Sequence, residues 1–334
     1  MGRSREDFAH VFRALGGRNA LKYVLYPRLL SHLRIKDFSQ NKLCANFFEE
    51  NFPDVLRKWK NVTLCHDSIV IPNRIWIFWW QGVEQMPFVI SKCYESILLN
   101  ANGRDVVVLD QCNYRNYVDI PFFILRKFES GKISITHFSD IIRVLLLQKY
   151  GGIWIDAAIY VTRPIPKVDT LFYSPKLSHV PSEAPHMNLW VMGIMGAPSQ
   201  MPLFSYISEM LMCYWKKYNG VLTYLLFDHI IRYGYENFTW VKELMDNREI
   251  ESPNLHESRY TFNQEVDKEK LEVLLSNNSF FSLTYRVPYP LLSEDGKQTY
   301  FSALMEVNDK RINNEKDNNR GGNFTICYTF KAAV

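Results

Sequence analysis

The sequence has little that would cross-link the chain or hold it in a membrane. Its six cysteines are widely spaced, form no C-x-x-C pair and have no histidines at zinc-ligand spacing. We therefore expect reduced thiols rather than a disulfide framework. No apolar run approaches the ~20 residues that cross a bilayer, and no signal-peptide pattern is present. These absences favour a cytoplasmic protein, either free or peripheral on the inner face of the membrane.

The net charge of +4 is small but unevenly distributed. Residues 1–36 hold eight Lys and Arg against two acidic residues, interleaved with apolar and aromatic side chains. Such a segment can lie on an anionic bilayer, gaining about 1 kcal/mol per cation near the surface. It is equally typical of a helical extension packed on its own domain, and the two interpretations stay open. No nucleic-acid recognition motif accompanies the charge, so we expect no nucleic-acid partner.

Strand-like and helix-like segments alternate beyond residue 69 and predict an α/β fold. Runs of branched and aromatic residues predict strands at Ile69–Trp80, Asp105–Asp110, Ile133–Thr136, Ile153–Asp156 and within Asn188–Met195. Helical periodicity predicts helices at Pro87–Ala101, 121–130, 139–149, Pro202–Tyr218 and Val221–Tyr233. The alternation favours a mostly parallel central sheet flanked by helices, with ligands bound at the carboxyl ends of its strands.

The same patterns predict three parts of the chain. Residues 1–68 form a basic helical N-terminal extension, residues 69–307 the α/β domain, and residues 308–334 a polar loop and C-terminal tail.

The stretch His137–Ala158, HFSDIIRVLLLQKYGGIWIDAA, combines several signals in one compact unit. Ser139 and Asp140 are residues that open helices, and the double glycine after Tyr150 is a typical helix stop. A short apolar strand then delivers Asp156 at its carboxyl end. Each residue alone has an ordinary structural explanation; the order in which they occur is more specific.

This stretch resembles the signature of bacterial capsular polysaccharide synthesis proteins. That family is related to the sugar transferases with a D-x-D motif and to large glucosylating toxins. They share S-D-x-x-R, an apolar helix, Y-G-G, a short strand and then D-x-D or a variant. The likeness runs from about Ile71 to about Pro166, and more weakly to about Tyr235. It implies a GT-A-type fold for nucleotide-diphospho-sugar transferases and transfer of a sugar from a nucleotide diphosphate.

The resemblance also implies a donor site, residue by residue. Asp140 and Arg143 would hydrogen-bond the donor sugar or its phosphates, and Asp156 matches the first acid of D-x-D. The signature glycines belong to the same predicted site, and the end of the first strand would hold the base, in part by stacking on an aromatic plane. The predicted donor-binding set is Trp79, Trp80, Gln81, Gly82, Asp140, Arg143, Gly151, Gly152 and Asp156. The alternative for Trp79 and Trp80 is that one packs in the core and the other lies on the surface.

Ala158 stands where relatives carry the second acid, which commonly ligates Mn²⁺ or Mg²⁺. Asp156 is then the one predicted metal ligand in the motif. Either another acid completes the site, or phosphates hold the cation, or basic side chains replace it. Asp228, next to His229, is the candidate second acid, and a polar face on a buried helix is its alternative explanation. Asp156, Arg143 and Asp228 form the predicted catalytic set.

The function implied is transfer of a hexose to a growing capsular or cell-surface polysaccharide, expected to be lipid-linked, with retention of configuration. The partners are then a nucleotide-sugar donor and a glycan acceptor. A catalytically inactive subunit of the same fold, binding glycan or a partner enzyme, is the main alternative. A glycoside hydrolase is the third, because paired acids could also serve hydrolysis.

Overall fold

The computed structural model describes residues 14–25, 39–65, 70–177, 184–246 and 248–307. Within these ranges the chain has a mixed α/β fold with a mostly parallel central sheet, as the sequence predicts. The predicted division into 1–68, 69–307 and 308–334 stays a prediction, and residues 308–334 lie outside the described ranges, as does most of 1–36.

The central sheet has four strands in the order β2-β1-β3-β5. They are β1 (Arg74–Phe78), β2 (Asp105–Leu109), β3 (Gly152–Ile155) and β5 (Ile194–Ala197). The first three are parallel, with Ile75 opposite both Val106 and Ile153, and β5 is antiparallel to β3. Strand β3 is buried along its whole length, as expected for a parallel strand covered on both faces. The carboxyl ends of β1, β2 and β3 therefore share one edge.

A second, two-stranded sheet pairs β4 (Ile159–Val161) with β6 (Phe280–Ser282) in antiparallel fashion. Leu283 N donates to Ala158 O at 2.9 Å, which extends this contact to the turn after Asp156. The segment after residue 250 is thereby fixed beside the end of β3.

Helices surround the sheets. They are α1 (Gln40–Asn51), α2 (Pro53–Lys60), α3 (Phe88–Leu99), α4 (Phe122–Glu129), α5 (Ile135–Tyr150), α6 (Pro202–Lys217), α7 (Leu226–Asn237), α8 (Thr239–Asp246), α9 (Lys268–Asn277) and α10 (300–307). Shorter helical turns occur at Gly17–Ala20, continued by a π-helical turn at Leu21–Leu25, and at Val83–Gln85, Tyr114–Asn116 and Ser258–Thr261.

The core is rich in aromatic side chains. Phe47 and Phe48 of α1 share one apolar cluster with Trp76 of β1 and Tyr214 of α6, so the first helices pack on the α/β domain. Edge-on and tilted ring pairs recur in this cluster, as between Phe47 and Tyr214 at 6.1 Å. No helix in the described ranges is both long and apolar enough to cross a bilayer.

Several predicted boundaries differ from the structure. Helix α5 begins at Ile135, because Ser134 Oγ accepts from His137 N at 3.3 Å and caps the helix one turn before Ser139. The predicted strand Ile133–Thr136 is therefore wrong. Strand β1 is shorter than Ile69–Trp80, β5 begins at Ile194 rather than Asn188, and α7 begins at Leu226 rather than Val221.

Gly151 and Gly152 join α5 to β3 where other residues would not fit. Their φ angles are +65° and +93°. A Cβ at Gly151 would lie 2.5 Å from Ser199 N, and one at Gly152 would lie 2.8 Å from Arg74 O. The two glycines therefore fix the start of β3 against its neighbouring strands.

Candidate active site

The strand order places the expected ligand crevice at the carboxyl edge of the sheet, between β1 and β3. The chain leaves β1 to form β2 on one side and then crosses to β3 on the other. Such a reversal opens a ligand crevice outside the carboxyl ends of the two diverging strands. Trp79–Gly82 follow β1 at this edge, Asp110 follows β2, and Asp156 follows β3.

The segment Trp79–Gly82 is held to the end of β2. Trp79 N donates to Leu109 O at 2.9 Å, and Gln111 N donates to Trp80 O at 3.1 Å. Gly82 has a φ of +87°, and a Cβ there would lie 3.5 Å from Asp110 Oδ2. The segment is thus a fixed turn at the mouth of the crevice, with Gln81 exposed.

The two tryptophans of this segment have different surroundings. Trp79 is half-buried and meets Tyr285 edge-on at 5.7 Å. Its Nε1 is buried and has no hydrogen-bond partner among the described residues. Trp80 packs instead in an aromatic cluster with Phe128 at 5.2 Å and Phe138 at 6.1 Å. Trp80 thus has a core-packing role, and contact of Trp79 with a ligand stays a prediction.

Asp140, Arg143 and Asp156 form one connected unit. Arg143 Nη2 donates to Asp156 Oδ1 at 2.9 Å, and Arg143 Nη1 lies 3.4 Å from Asp140 Oδ1. Trp154 Nε1 also donates to Asp156 Oδ1, at 2.7 Å. The Arg143 guanidinium is buried, 4.9 Å from the centre of the Trp154 ring. Two carboxylates share one guanidinium, so the unit carries a net charge of −1.

A cavity of about 220 Å³ adjoins this unit. It is lined by Asp156, Ile159, Leu177, His186, Trp190, Val191, Met192, Gly193, Leu225, Asp228, Leu255, His256, Arg259 and Ser282. Pockets for drug-sized ligands run to about 300–1,000 Å³, so this one suits a single small group. Asp156 lies at the border between the crevice and the cavity.

Asp228 is the second carboxyl group that lines the cavity. Its pKa is raised to about 7, chiefly by burial and also by the Asp140 charge, while the hydrogen bond from Trp190 and the Arg143 charge oppose the shift. Trp190 Nε1 donates to Asp228 Oδ1 at 2.8 Å. At neutral pH the Asp228 carboxyl is therefore close to half protonated and can donate a hydrogen bond. The adjoining His229 is buried outside the cavity lining, and burial lowers its pKa to about 4.

Gly193 is the residue against which Asp156 rests. Asp156 N donates to Gly193 O at 2.7 Å, and a Cβ at residue 193 would lie 2.9 Å from Asp156 Oδ2. The absence of a side chain therefore leaves room for the carboxylate. Sequence reasoning missed Gly193, because a lone glycine in a loop has no motif.

Sequence reasoning also missed His186, His256, Arg259 and Ser282 of the cavity wall. Burial lowers the pKa of both histidines, that of His256 to about 4, so both are neutral at pH 7. His186 Nδ1 accepts from Asn188 N at 3.0 Å, which leaves its Nε2 as the protonated nitrogen. These residues lie 30 to 126 positions beyond Asp156, where the family signature gives no guidance.

The predicted glycines of the donor site are not brought to this edge. Gly151 and Gly152 lie at the amino end of β3, and Asp156 follows the carboxyl end, about 13 Å away at ~3.3 Å per residue. Their role in binding stays a prediction, and the structure gives them the packing role described above.

The residues present do not fit a protein-held divalent cation. Mg²⁺ takes near-octahedral oxygen ligands, and Mn²⁺ likewise suits carboxylates and water. Asp156 Oδ1 is already bonded to a guanidinium and an indole N–H, and Ala158 supplies no ligand. No group of three or more His, Cys, Asp or Glu residues in the described ranges is arranged to hold a metal ion. A cation here would rely on Asp156 Oδ2 and on oxygens of the ligand, so Mn²⁺ or Mg²⁺ stays a prediction.

The fold and this edge define the class of protein: an α/β protein with an acid-lined ligand crevice between two parallel strands. The family model for capsular polysaccharide synthesis proteins matches residues 31–304. The chain therefore belongs to that family, and the predicted resemblance is confirmed.

Individual relatives are named glycosyltransferases. The chain is 29% identical over 139 residues to the O-glycosyltransferase PaGT of Phomopsis amygdali, covering 36% of the chain and 34% of the relative. It is 30% identical over 102 residues to the O-glycosyltransferase braB of Annulohypoxylon truncatum, covering 28% of the chain and 24% of the relative. The matched regions thus span about a third of one curated relative and about a quarter of the other. The names agree with the predicted enzyme class.

Among solved structures, the chain is similar to the PaToxG glycosyltransferase. The likeness covers 81% of this chain and 96% of that one, with 12% identity and a TM-score of 0.35. A score at this level does not define the fold, so the GT-A type remains a prediction.

Proposed function

We propose that this protein is a glycosyltransferase of GT-A type that moves a hexose from a nucleotide-diphosphate sugar to a growing capsular or cell-surface polysaccharide. The observation that supports this most is the Asp140–Arg143–Asp156 unit at the carboxyl edge of β3, beside a cavity of sugar-sized volume. The family membership and the names of the relatives support the same class.

The donor then lies across the two parts of the site. Its base contacts the half-buried ring of Trp79 and the exposed Gln81 at the end of β1. Its sugar occupies the cavity, with hydroxyls bonded to Asp156 Oδ2 and to the Asp228 carboxyl. Arg143 holds Asp140 and Asp156 in place before the donor arrives, which is the preorganisation that catalysis by positioning requires.

The reaction proposed retains the anomeric configuration of the sugar. No dedicated general base is then needed, because the departing phosphate accepts the proton of the attacking hydroxyl. The contribution of the protein is to orient donor and acceptor, and to stabilise the charge on the leaving diphosphate. The proposed acceptor is a lipid-linked glycan, reached at the inner face of the membrane.

Donor hydrolysis and transfer by purified protein test the proposal. Wild-type protein and Asp156→Asn are assayed across several nucleotide sugars, with and without Mn²⁺. We expect hydrolysis of at least one donor, and a loss of about 10²-fold or more in Asp156→Asn, by analogy with the loss of one transition-state contact. Asp54→Asn, which alters an exposed carboxylate of α2, is the matched control. The idea fails if no donor is bound or hydrolysed and Asp156→Asn changes nothing.

An inactive binding subunit is the second candidate, and the alanine at residue 158 favours it. Calorimetric titration separates the two. Binding of a nucleoside diphosphate supports the enzyme, whereas binding of glycan without any nucleotide supports the subunit.

Membrane contact through residues 1–36 is a separate proposal, supported by the charge pattern of the sequence. Replacing Arg3, Arg5 and Arg13 by Gln is expected to weaken sedimentation with vesicles containing phosphatidylserine, and to leave soluble donor hydrolysis unchanged. Equal sedimentation of variant and wild type would end this proposal.

A further inference from the structure

The proposed donor brings more negative charge than the Asp140–Arg143–Asp156 unit can balance. A nucleoside diphosphate is an anion, and the unit itself has a net charge of −1 because one guanidinium serves two carboxylates. Asp228 adds a partial negative charge at neutral pH. The carboxylates present do not build a divalent-cation site, so another positive group must face the phosphates.

Among the described residues lining the cavity, Arg259 is the one Lys or Arg. It makes no salt bridge in the described part of the chain, although its Nη2 donates to Ser282 Oγ at 2.6 Å. The Arg259 side chain is exposed and lies at the rim of the cavity. An arginine without an acidic partner, facing two carboxyl groups across a cavity, is suited to an oxyanion that enters between them.

The backbone around Arg259 is firmly attached to β6. Ser258 Oγ donates to Ser282 O at 2.7 Å, and Ser282 N donates to Leu255 O at 2.8 Å. Strand β6 pairs in turn with β4, which begins three residues after Asp156. Arg259 and Asp156 are therefore held by one hydrogen-bonded framework, so the position of the guanidinium is preorganised relative to Asp156.

Neutral histidines stand beside this arginine. His256 Nδ1 is buried with no hydrogen-bond partner among the described residues, and His186 lines the same wall. Neutral imidazoles add hydrogen bonds but no charge. Arg259 is thus the positively charged side chain on this side of the cavity.

We propose that Arg259 binds the phosphate groups of the donor nucleoside diphosphate and supplies the positive charge that a divalent cation supplies in other sites. This inference rests on the proposed transferase function. In the transfer step the bond between the anomeric carbon and the phosphate oxygen breaks, and the electron pair leaves with the diphosphate. Arg259 faces the oxygen on which that charge develops, while the acceptor hydroxyl oxygen bonds to the anomeric carbon and its proton passes to the phosphate.

Calorimetric titration with UDP, GDP, ADP, CDP and dTDP tests this, in EDTA and in Mn²⁺. We expect wild-type protein to bind at least one diphosphate in EDTA. Arg259→Gln is expected to bind that diphosphate at least about tenfold more weakly, equivalent to about 1.4 kcal/mol. The matching nucleoside, without phosphates, is expected to bind both proteins equally. Arg259→Lys keeps the charge and is expected to recover part of the affinity.

Arg286→Gln is the matched control. Arg286 is also exposed, and its guanidinium is 5.9 Å from the ring of the adjacent Tyr285. It does not line the cavity, so its replacement should change the dissociation constant less than about threefold. Thermal unfolding of each variant checks that the fold is intact.

Two results would overturn the inference while leaving the transferase standing. One is diphosphate binding that requires Mn²⁺ in wild-type protein. The other is unchanged affinity in folded Arg259→Gln, or a loss confined to Arg286→Gln. Wild-type protein that binds no diphosphate under either condition would instead defeat the proposed function and this inference together.

Discussion

The buried carboxyl group of Asp228 should make the stability of the protein depend on pH in an unusual direction. Its pKa is raised from 3.8 to about 7, chiefly by burial. The folded state therefore holds this proton more tightly than the unfolded state. Between about pH 4 and pH 7 the folded state binds more protons, so the free energy of unfolding falls as pH rises through this window.

The size of the effect follows from the shift. Each pKa unit corresponds to about 1.4 kcal/mol, so complete ionisation costs the fold about 4 kcal/mol relative to acid conditions. Asp228→Asn removes the titration while keeping the shape of the protonated acid, and its amide oxygen can still accept from Trp190 Nε1. Relative to equal stability below about pH 3.8, we expect the variant to be more stable by about 1 kcal/mol near pH 4.5 and by about 4 kcal/mol near pH 8.5.

Urea unfolding followed by tryptophan fluorescence at steps between pH 4.5 and 8.5 measures this difference. Asp54→Asn serves as the control, since the Asp54 side chain is 86% exposed and its replacement should stay within about 0.5 kcal/mol at every pH. A difference between wild type and Asp228→Asn that does not change with pH would refute the reasoning.

Three further changes probe the site and its support. Gly193→Ala is expected to displace the Asp156 carboxylate, because the new Cβ would lie 2.9 Å from Oδ2. Donor hydrolysis should fall at least about tenfold, while the melting temperature measured by calorimetry should change little. Gly151→Ala is expected to destabilise the fold by more than about 2 kcal/mol, because the residue has a φ of +65° and its Cβ would overlap Ser199 N; chemical denaturation measures this. Arg143→Met is expected to cost about 3 kcal/mol in the same assay, because it leaves the buried Asp140 carboxylate without its cation.

The controls for the glycine changes are glycines with open surroundings. Gly131→Ala and Gly103→Ala also alter residues with positive φ, but nothing lies within 4 Å of either Cβ. They isolate the backbone cost from the packing cost. Hydrolysis by Gly193→Ala equal to wild type, or a Gly151→Ala protein no less stable than Gly131→Ala, would contradict the close-packing argument.

The sequence was most informative where local signals agreed with long-range packing. The apolar runs Ile69–Trp80 and Ile153–Asp156 predict buried strands, because a parallel strand covered on both faces needs a continuous apolar run. The strands Arg74–Phe78 and Gly152–Ile155 overlap these runs. The start of α5 was misplaced because Ser134 and Ser139 are both good capping residues. Only the position of the preceding turn, fixed by tertiary contacts, decides between them.

The candidate site also contains residues that the sequence predicts and residues that it does not. Asp140, Arg143 and Asp156 were identified because they occur within one short signature, and the structure joins them by direct contacts. Gly193 and Arg259 were missed because they reach the site only through strand pairing, of β5 with β3 and of β6 with β4. The spacing of residues along the chain does not indicate which strands pair.

The pairing of β4 with β6 also determines the order in which the two sides of the cavity form during synthesis of the chain. Ser282 and Asp156 are separated by 126 positions in the sequence. At about 5–20 residues per second, a ribosome needs about 6–25 s to extend the chain from one to the other. During this interval Asp156 has been synthesised, but the cavity wall that carries Arg259 is not yet complete. A nascent chain therefore acquires the two sides of its cavity separately, and the second arrives only when β6 docks.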